Sequence, residues 1–291
     1  MTVGEWRYIQ SIHEPPERRN PDTLVGHFLP AARRWRAKWI GAKTLSGMRS
    51  RPFYYYLVAR TMHYDAILNS AIRSNIRHII IIGSGSDTRA YRFLKELKAR
   101  EIGVLECDQS QAIRIKQRIA ERHWPSSLIS YLPLDLNDDA WPHFESWLGK
   151  HITGQALVMM EGVSPYIGER AFGRFLELLA VKLQPGSHVA YDFKRIGVND
   201  DLGRASRTEQ PFRLSPDRED ITGYHVRRCY HLEYMELSHE LSARLLPDLG
   251  KSDTPLFRED VLIRLAVASH RGAAGTASRN ERPDYGLQSR P

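Results

Sequence analysis

A chain of 291 residues with 42% apolar content fits one large domain with additions, or two small ones, with enough hydrophobic matter for a sizeable core. No apolar run reaches the roughly 18 residues of a membrane span, and the polar stretch 1–20 lacks the apolar segment of a signal peptide. Only Cys107 and Cys229 occur, one in each of two expected strands and without Cys or His partners at metal-ligand spacing, which argues against a disulfide scaffold or a zinc site and fits a reducing cytoplasm.

The net charge of +8 is unevenly spread. Residues 1–75 hold 12 Lys/Arg against 5 Asp/Glu, residues 76–269 hold 26 against 27, and residues 270–291 hold 4 against 2. Asn20-Pro21-Asp22 reads as a helix start, with Leu24, Phe28 and Leu29 on the apolar side. Arg33-Arg34-Trp35-Arg36-Ala37-Lys38 reads first as a solvated basic helix. A sharper reading makes it a rim that draws in an anionic substrate. A second helix is expected from Pro52 to Ala71, with Leu57, Thr61, Tyr64 and Leu68 on one face. Residues 1–75 therefore read as an N-terminal helical cap.

From residue 76 strands and helices alternate. The expected strands are His78–Ile82, Ile102–Cys107, Ile129–Leu134, Gln155–Met160 and Ser187–Phe193, followed by His225–Tyr230 and Asp260–Ala268. The expected helices are Asp87–Arg100, Ser110–Arg122, Asp138–Leu148, Gly168–Leu183 and Leu232–Leu245. Residues 197–220 are polar and read as a loop or lid, and residues 270–291 read as disordered. The pattern predicts an α/β fold for residues 76–269, a parallel sheet of seven strands with helices on both faces.

The strand ends carry the chemistry. His78–Ile82 runs into Gly83-Ser84-Gly85, where glycine lets the backbone approach a ligand at a helix N-terminus. The second strand closes on Glu106-Cys107-Asp108, and an acidic residue there can accept both ribose hydroxyl protons. Glu106 and Asp108 compete for that role. The third strand closes on Asp135-Leu136, suited to an adenine amino group and ring face, and the fourth on Glu161-Gly162. Together these ends point to S-adenosylmethionine. The third small residue of a dinucleotide fingerprint is replaced by Thr88, which argues against a nicotinamide oxidoreductase. A third class, a non-catalytic or RNA-binding protein on the same fold, draws on the basic, aromatic cap (Trp35, Trp39, Phe53, Tyr54, Tyr55, Tyr56). The retained set of strand-end residues argues against it, and neither a nucleic acid nor a membrane is expected as a partner.

The chain resembles the leucine carboxyl methyltransferase family, including its bacterial branch of S-adenosylmethionine-dependent O-methyltransferases. The resemblance rests on Gly83-Ser84-Gly85-Ser86-Asp87-Thr88-Arg89-Ala90-Tyr91-Arg92, on Ala59-Arg60-Thr61 with Asp65, and on the blocks Glu106–Asp108, Asp135-Leu136 and Glu161-Gly162-Val163-Ser164-Pro165-Tyr166. It implies a class I methyltransferase (Rossmann-like) fold with the last strand antiparallel. It implies that Arg60 pairs with the cofactor's carboxylate and that Gly83 and Gly85 let the chain pass its methionine part. It further implies that Asp108 holds ribose, Asp135 and Leu136 hold adenine, and Glu161 faces the amino group. One departure concerns the acceptor. Ser164-Pro165 stands where the family has a bulky apolar residue, at positions expected to face the methyl acceptor.

Methyl transfer from a sulfonium is an in-line displacement that demands alignment and exclusion of water. A carboxylate acceptor is ionised near neutral pH and needs no base. Cap arginines and Tyr166 would hold it, so a small, anionic metabolite or peptide end is the expected substrate. A hydroxyl acceptor, as in natural-product tailoring, would call on His63, His225 or His231 as a base.

Overall fold

A computed structural model describes residues 1–138, 140–198, 210–249 and 254–269. The expected disordered tail, and residues 199–209 of the expected lid, lie outside them. The chain opens with α1 (Val3–His13), α2 (Ala31–Lys38), α3 (Ala42–Arg49) and the 22-residue α4 (Pro52–Arg73). Thr2 and Glu5 form a reciprocal capping box that starts α1. The helix expected after Asn20 is only a 3-10 turn, Val25–Phe28: Asp22 accepts the Val25 amide at its start, and the chain turns extended at Leu29, before Pro30.

There follow β1 (His78–Ile82), α5 (Arg89–Arg92), α6 (Leu94–Ala99), β2 (Gly103–Asp108), α7 (Ser110–His123), β3 (Ile129–Pro133), α8 (Pro142–His151) and β4 (Ala156–Met160). Then come α9 (Glu169–Lys182), β5 (His188–Arg195), the two-residue β6 (Arg213–Leu214), α10 (Arg218–Val226), β7 (Tyr230–Leu237), α11 (Ser238–Leu245) and β8 (Asp260–Val267). The sheet order is β3-β2-β1-β4-β5-β8-β7, with β6 beside β5. β1 to β5 are mutually parallel, and β8 is antiparallel to both β5 and β7.

Alternation along each strand divides the core between the two faces. On β1, Ile79 and Ile81 join a cluster with Tyr56, Leu68 and Ile72 of α4, whereas Ile80 and Ile82 join one with Phe144 of α8 and Phe172 and Phe175 of α9. α4 thus shares its core with the first face of the sheet.

Two expectations fail in the second half. Tyr224 to Val226 belong to α10, whose first turn is capped by the Asp217 side chain on the Glu219 and Asp220 amides. The strand begins at Tyr230 and runs to Leu237, through most of the first half of the expected helix. Cys229 therefore lies in the turn before β7, with φ 63°, and only Cys107 sits in a strand.

Candidate active site

The strand order reverses between β1 and β4, and at such a switch point two loops diverge and leave a crevice at the carboxyl ends. A cleft of about 430 Å³ lies there, and its walls include Gly83, Asp108, Asp135, Leu136, Glu161 and Tyr166. Six of the eight residues singled out from sequence thus meet in one cleft. Gly85 bonds the cleft residue Asp108, and Arg60 lies beneath Gly162.

Gly83 follows β1 with φ 64°, and a Cβ there would collide with Val163 of the β4 loop. Both the backbone angle and the close approach demand glycine. Gly85, with φ 36°, donates its N–H to Asp108 Oδ2 at 2.6 Å, and Asp108 Oδ1 accepts the Gln109 amide at 2.7 Å. A carboxylate has about four acceptor sites, so Asp108 keeps capacity for two hydroxyls. Its rival Glu106 is fully buried against Lys116 Nζ, at 2.8 Å, and the Tyr91 hydroxyl. Of the two, Asp108 lines the cleft, and these partners hold Glu106 in the core.

Asp135 accepts from Gln109 Nε2 at 2.9 Å and from the Asn137 amide at 3.0 Å. Gln109 thereby joins the ends of β2 and β3. Asn137 accepts from the Gly168 amide and donates to the Tyr166 carbonyl, fastening the segment that carries Tyr166. Neither residue was foreseen; both simply follow an acidic strand end in sequence. Leu136 is buried and joins the second core cluster while lining the cleft.

Glu161 presents its carboxylate between the cleft and two buried guanidinia. Arg60 Nε lies 3.2 Å from Oε1, and an Arg89 terminal nitrogen lies 2.7 Å from Oε2. Burial alone would raise its pKa, but Arg89, Arg60 and Arg7 together hold it below the usual carboxylate value. Arg60 also pairs with Asp192 at 3.3 Å and Asp260 at 3.9 Å, and lies beneath Gly162. Its guanidinium therefore reaches the cleft chiefly through Glu161.

The charged residues of the Asp87–Arg92 block build a buried network. Arg89 bridges Asp65, Asp87 and Glu161; Arg92 pairs with Asp65; Thr88 donates to Asp22, which Arg7 of α1 also holds at 3.2 Å. The block thus ties α1 and α4 to the strand ends. The charges themselves are visible in sequence, but which of them meet depends on the fold.

Ser164 faces inward, contrary to the expectation that it meets the acceptor. It is wholly buried and donates to the Asp192 carbonyl at 2.7 Å. Asp192 also accepts the Gly162 amide at 2.8 Å and the Tyr64 hydroxyl at 2.8 Å. A bulky apolar residue would have neither room nor a hydrogen bond there, which gives the departure a structural reason. Tyr166, 52% exposed, is the cleft-facing residue of that turn.

None of the histidines considered as a base lines the cleft. His63 is buried, stacked on Tyr234, and pushed down to about 3 by that burial. His225 lies between the Tyr191 hydroxyl and the Ile221 carbonyl, and burial lowers it to about 4. His231 is exposed on β7.

A leucine carboxyl methyltransferase family model matches residues 2–180. The chain belongs to the leucine carboxyl methyltransferase family. A protein from Mycolicibacterium paratuberculosis, provisionally named an S-adenosyl-L-methionine-dependent methyltransferase, is 26% identical over 199 residues, covering 64% of this chain and 62% of the relative. One of the same name from Mycobacterium ulcerans is 30% identical over 176 residues, covering 59% and 56%. The chain thus spans less than two thirds of the length of these relatives. Magnesium protoporphyrin IX methyltransferase from Synechocystis PCC 6803, solved with its methyl donor bound, covers 75% of this chain and 82% of that one at 8% identity and a TM-score of 0.45. At that score the likeness adds nothing to what the strand order already establishes. No helix among the described residues is long and apolar enough to cross a membrane.

Proposed function

We propose that this protein is an S-adenosylmethionine-dependent methyltransferase that esterifies a carboxylate of a small, anionic metabolite or a peptide end. One observation carries the reading: Asp108, Asp135 and Glu161, from three different strand ends, converge on a single cleft at the switch point. Their chemistry fits a ligand with a ribose diol, an exocyclic amine and a cationic amino acid end. The supporting hydrogen bonds leave Asp108 and Asp135 with unused lone pairs.

S-adenosylmethionine bound there supplies a methyl group on a sulfonium. Asp108 would hold the ribose, Asp135 with Leu136 the adenine, and Glu161 the amino group. Gly83 and Gly85, at φ 64° and 36°, would let the chain pass its methionine part. Arg60 would act on the cofactor's carboxylate end from beneath Gly162 and keep Glu161 ionised. Tyr166 would align the acceptor. The carboxylate assignment draws on the described cleft lining, which offers no histidine to act as a base. An acceptor that is already ionised needs no proton removed.

Calorimetry should show binding of S-adenosylmethionine and S-adenosylhomocysteine and none of NAD. NAD binding without binding of the homocysteine form would refute the cofactor assignment. The methylated product, followed by mass spectrometry, should lose its methyl group in mild alkali. A base-stable methyl would move the acceptor to a hydroxyl.

A further inference from the structure

Between Asp22 and Asp65 the chain contains no acidic residue, yet it holds Arg33, Arg34, Arg36, Lys38, Lys43, Arg49, Arg51 and Arg60. α2 lies in this stretch. Of its residues only Ala37 is buried, and it faces the body of the protein. Trp35 and Trp39, four residues apart and so on one helix face, are 67% and 69% exposed. The Trp39 amide bonds the Trp35 carbonyl, so the helical geometry holds through Trp39. Ala31 and Ala32, exposed one turn earlier, complete an apolar ridge on the side away from Ala37. At 3.6 residues per turn, Arg33 and Arg36 fall on one flank of the ridge and Arg34 and Lys38 on the other. Arg33 and Arg36 pair with the buried Glu5, which fixes that flank.

We propose that α2 docks the protein on an anionic lipid bilayer, lying in the interface with Trp35 and Trp39 inserted and the cations of both flanks against lipid phosphates. The chemistry of the ridge selects this occupant. Tryptophan favours the interfacial zone, and an in-plane helix needs an apolar strip bordered by Lys and Arg. An anionic surface also supplies the charge that this acid-free stretch lacks. Single-stranded nucleic acid would call for a long groove to track its backbone, whereas the hollow beside Trp39, lined also by Arg33, Arg36 and Ile40, holds only about 230 Å³. A second copy of the chain would bring Arg34 and Lys38 against their own kind. The proposal revises the expectation of no membrane partner, and it rests on α2 alone rather than on the methyl-transfer reading.

The test is co-sedimentation of the full chain with vesicles of phosphatidylcholine mixed with phosphatidylglycerol, and with vesicles of phosphatidylcholine alone. The expected result is partition onto the anionic vesicles roughly tenfold or more above the neutral ones, reversed by high salt. The exposed double variants Trp35→Ala/Trp39→Ala and Arg34→Glu/Lys38→Glu should each lose about tenfold of that partition, with unchanged melting temperature and unchanged S-adenosylhomocysteine affinity. Absence of vesicle binding at low salt, or binding that both variants retain, would overturn the proposal. So would RNA binding without vesicle binding, or a dimer in sedimentation velocity that the Trp variant dissolves.

Discussion

Arg60 is held by more negative charge than one ion pair would need. Its guanidinium meets Glu161, Asp192 and Asp260, all with side chains at most 10% exposed. Arg60→Ala would leave these buried carboxylates short of a cation. Breaking such a pair costs about 3–5 kcal/mol of stability. It should also weaken S-adenosylhomocysteine binding by about 1.5–3 kcal/mol, as loss of a charge-assisted hydrogen bond does. Urea unfolding and calorimetry on the same variant separate the two effects; full stability would disprove the network's role. Ser164→Ala removes one buried hydrogen bond and should cost about 1 kcal/mol. Asp192→Asn disturbs the acceptor of the Gly162 amide as well, so it should raise the cofactor KM more than Ser164→Ala does. Equal KM values for the two variants would contradict the view that Asp192 sets this turn. At this scale the sequence was legible where a residue type meets a strand end: Gly83, Asp108, Asp135 and Glu161 all line the one cleft. It was not legible where a choice turns on burial, as between Glu106 and Asp108, or on inward orientation, as at Ser164.

At the scale of elements, period and length decide what can be read. The Ile79–Ile82 run is β-branched throughout and too short for a helix, and the strand His78–Ile82 stands as expected. Around His225 the reading fails because Tyr224, Val226 and Tyr230 mimic strand alternation while the true signal is the Asp217 cap, with Glu219 and Asp220 in the first turn. α1 carried a comparable signal in Thr2-Val3-Gly4-Glu5, a capping box by spacing. The position of His225 in α10 has a consequence for pH dependence. Burial lowers its pKa from 6.5 to about 4. The unfolded chain takes up this proton as pH falls through 6.5, and the folded chain only near 4. The stability contributed by the neutral ring is therefore complete above pH 6.5 and is lost progressively as pH falls toward about 4. Within that window the slope is about 1.4 kcal/mol per pH unit. His225→Gln cannot charge, so the stability difference between wild type and variant should change with pH at about that slope between pH 4.5 and 6. Denaturant titrations at several pH values test it; parallel curves would show that His225 titrates alike in both states.

Across the whole molecule, the strand order and the division of charge act together. The acid-bearing strand ends gather at one cleft, whose lining contains no cation among the described residues, while the excess positive charge lies in residues 1–75. An anionic acceptor approaching the empty cleft would meet Asp108, Asp135 and Glu161 and be repelled. S-adenosylmethionine carries one more positive charge than S-adenosylhomocysteine, at the sulfur beside which the acceptor must lie. The proposed reaction therefore has an expected order: cofactor first, then acceptor. In calorimetry the acceptor should bind weakly to the free protein and more tightly once S-adenosylhomocysteine fills the cleft. A non-reactive cationic analogue of the methyl donor should strengthen acceptor binding further. Salt should separate the two ligands. The Debye length falls from about 10 Å at 0.1 M to about 3 Å at 1 M. Acceptor kcat/KM should therefore fall severalfold over that range if the cap steers an anion, whereas binding of the net-neutral homocysteine form should change little. A kcat/KM indifferent to salt, together with acceptor affinity indifferent to the cofactor's charge, would show that the acceptor is not an anion, and the hydroxyl alternative would then stand on the same cleft.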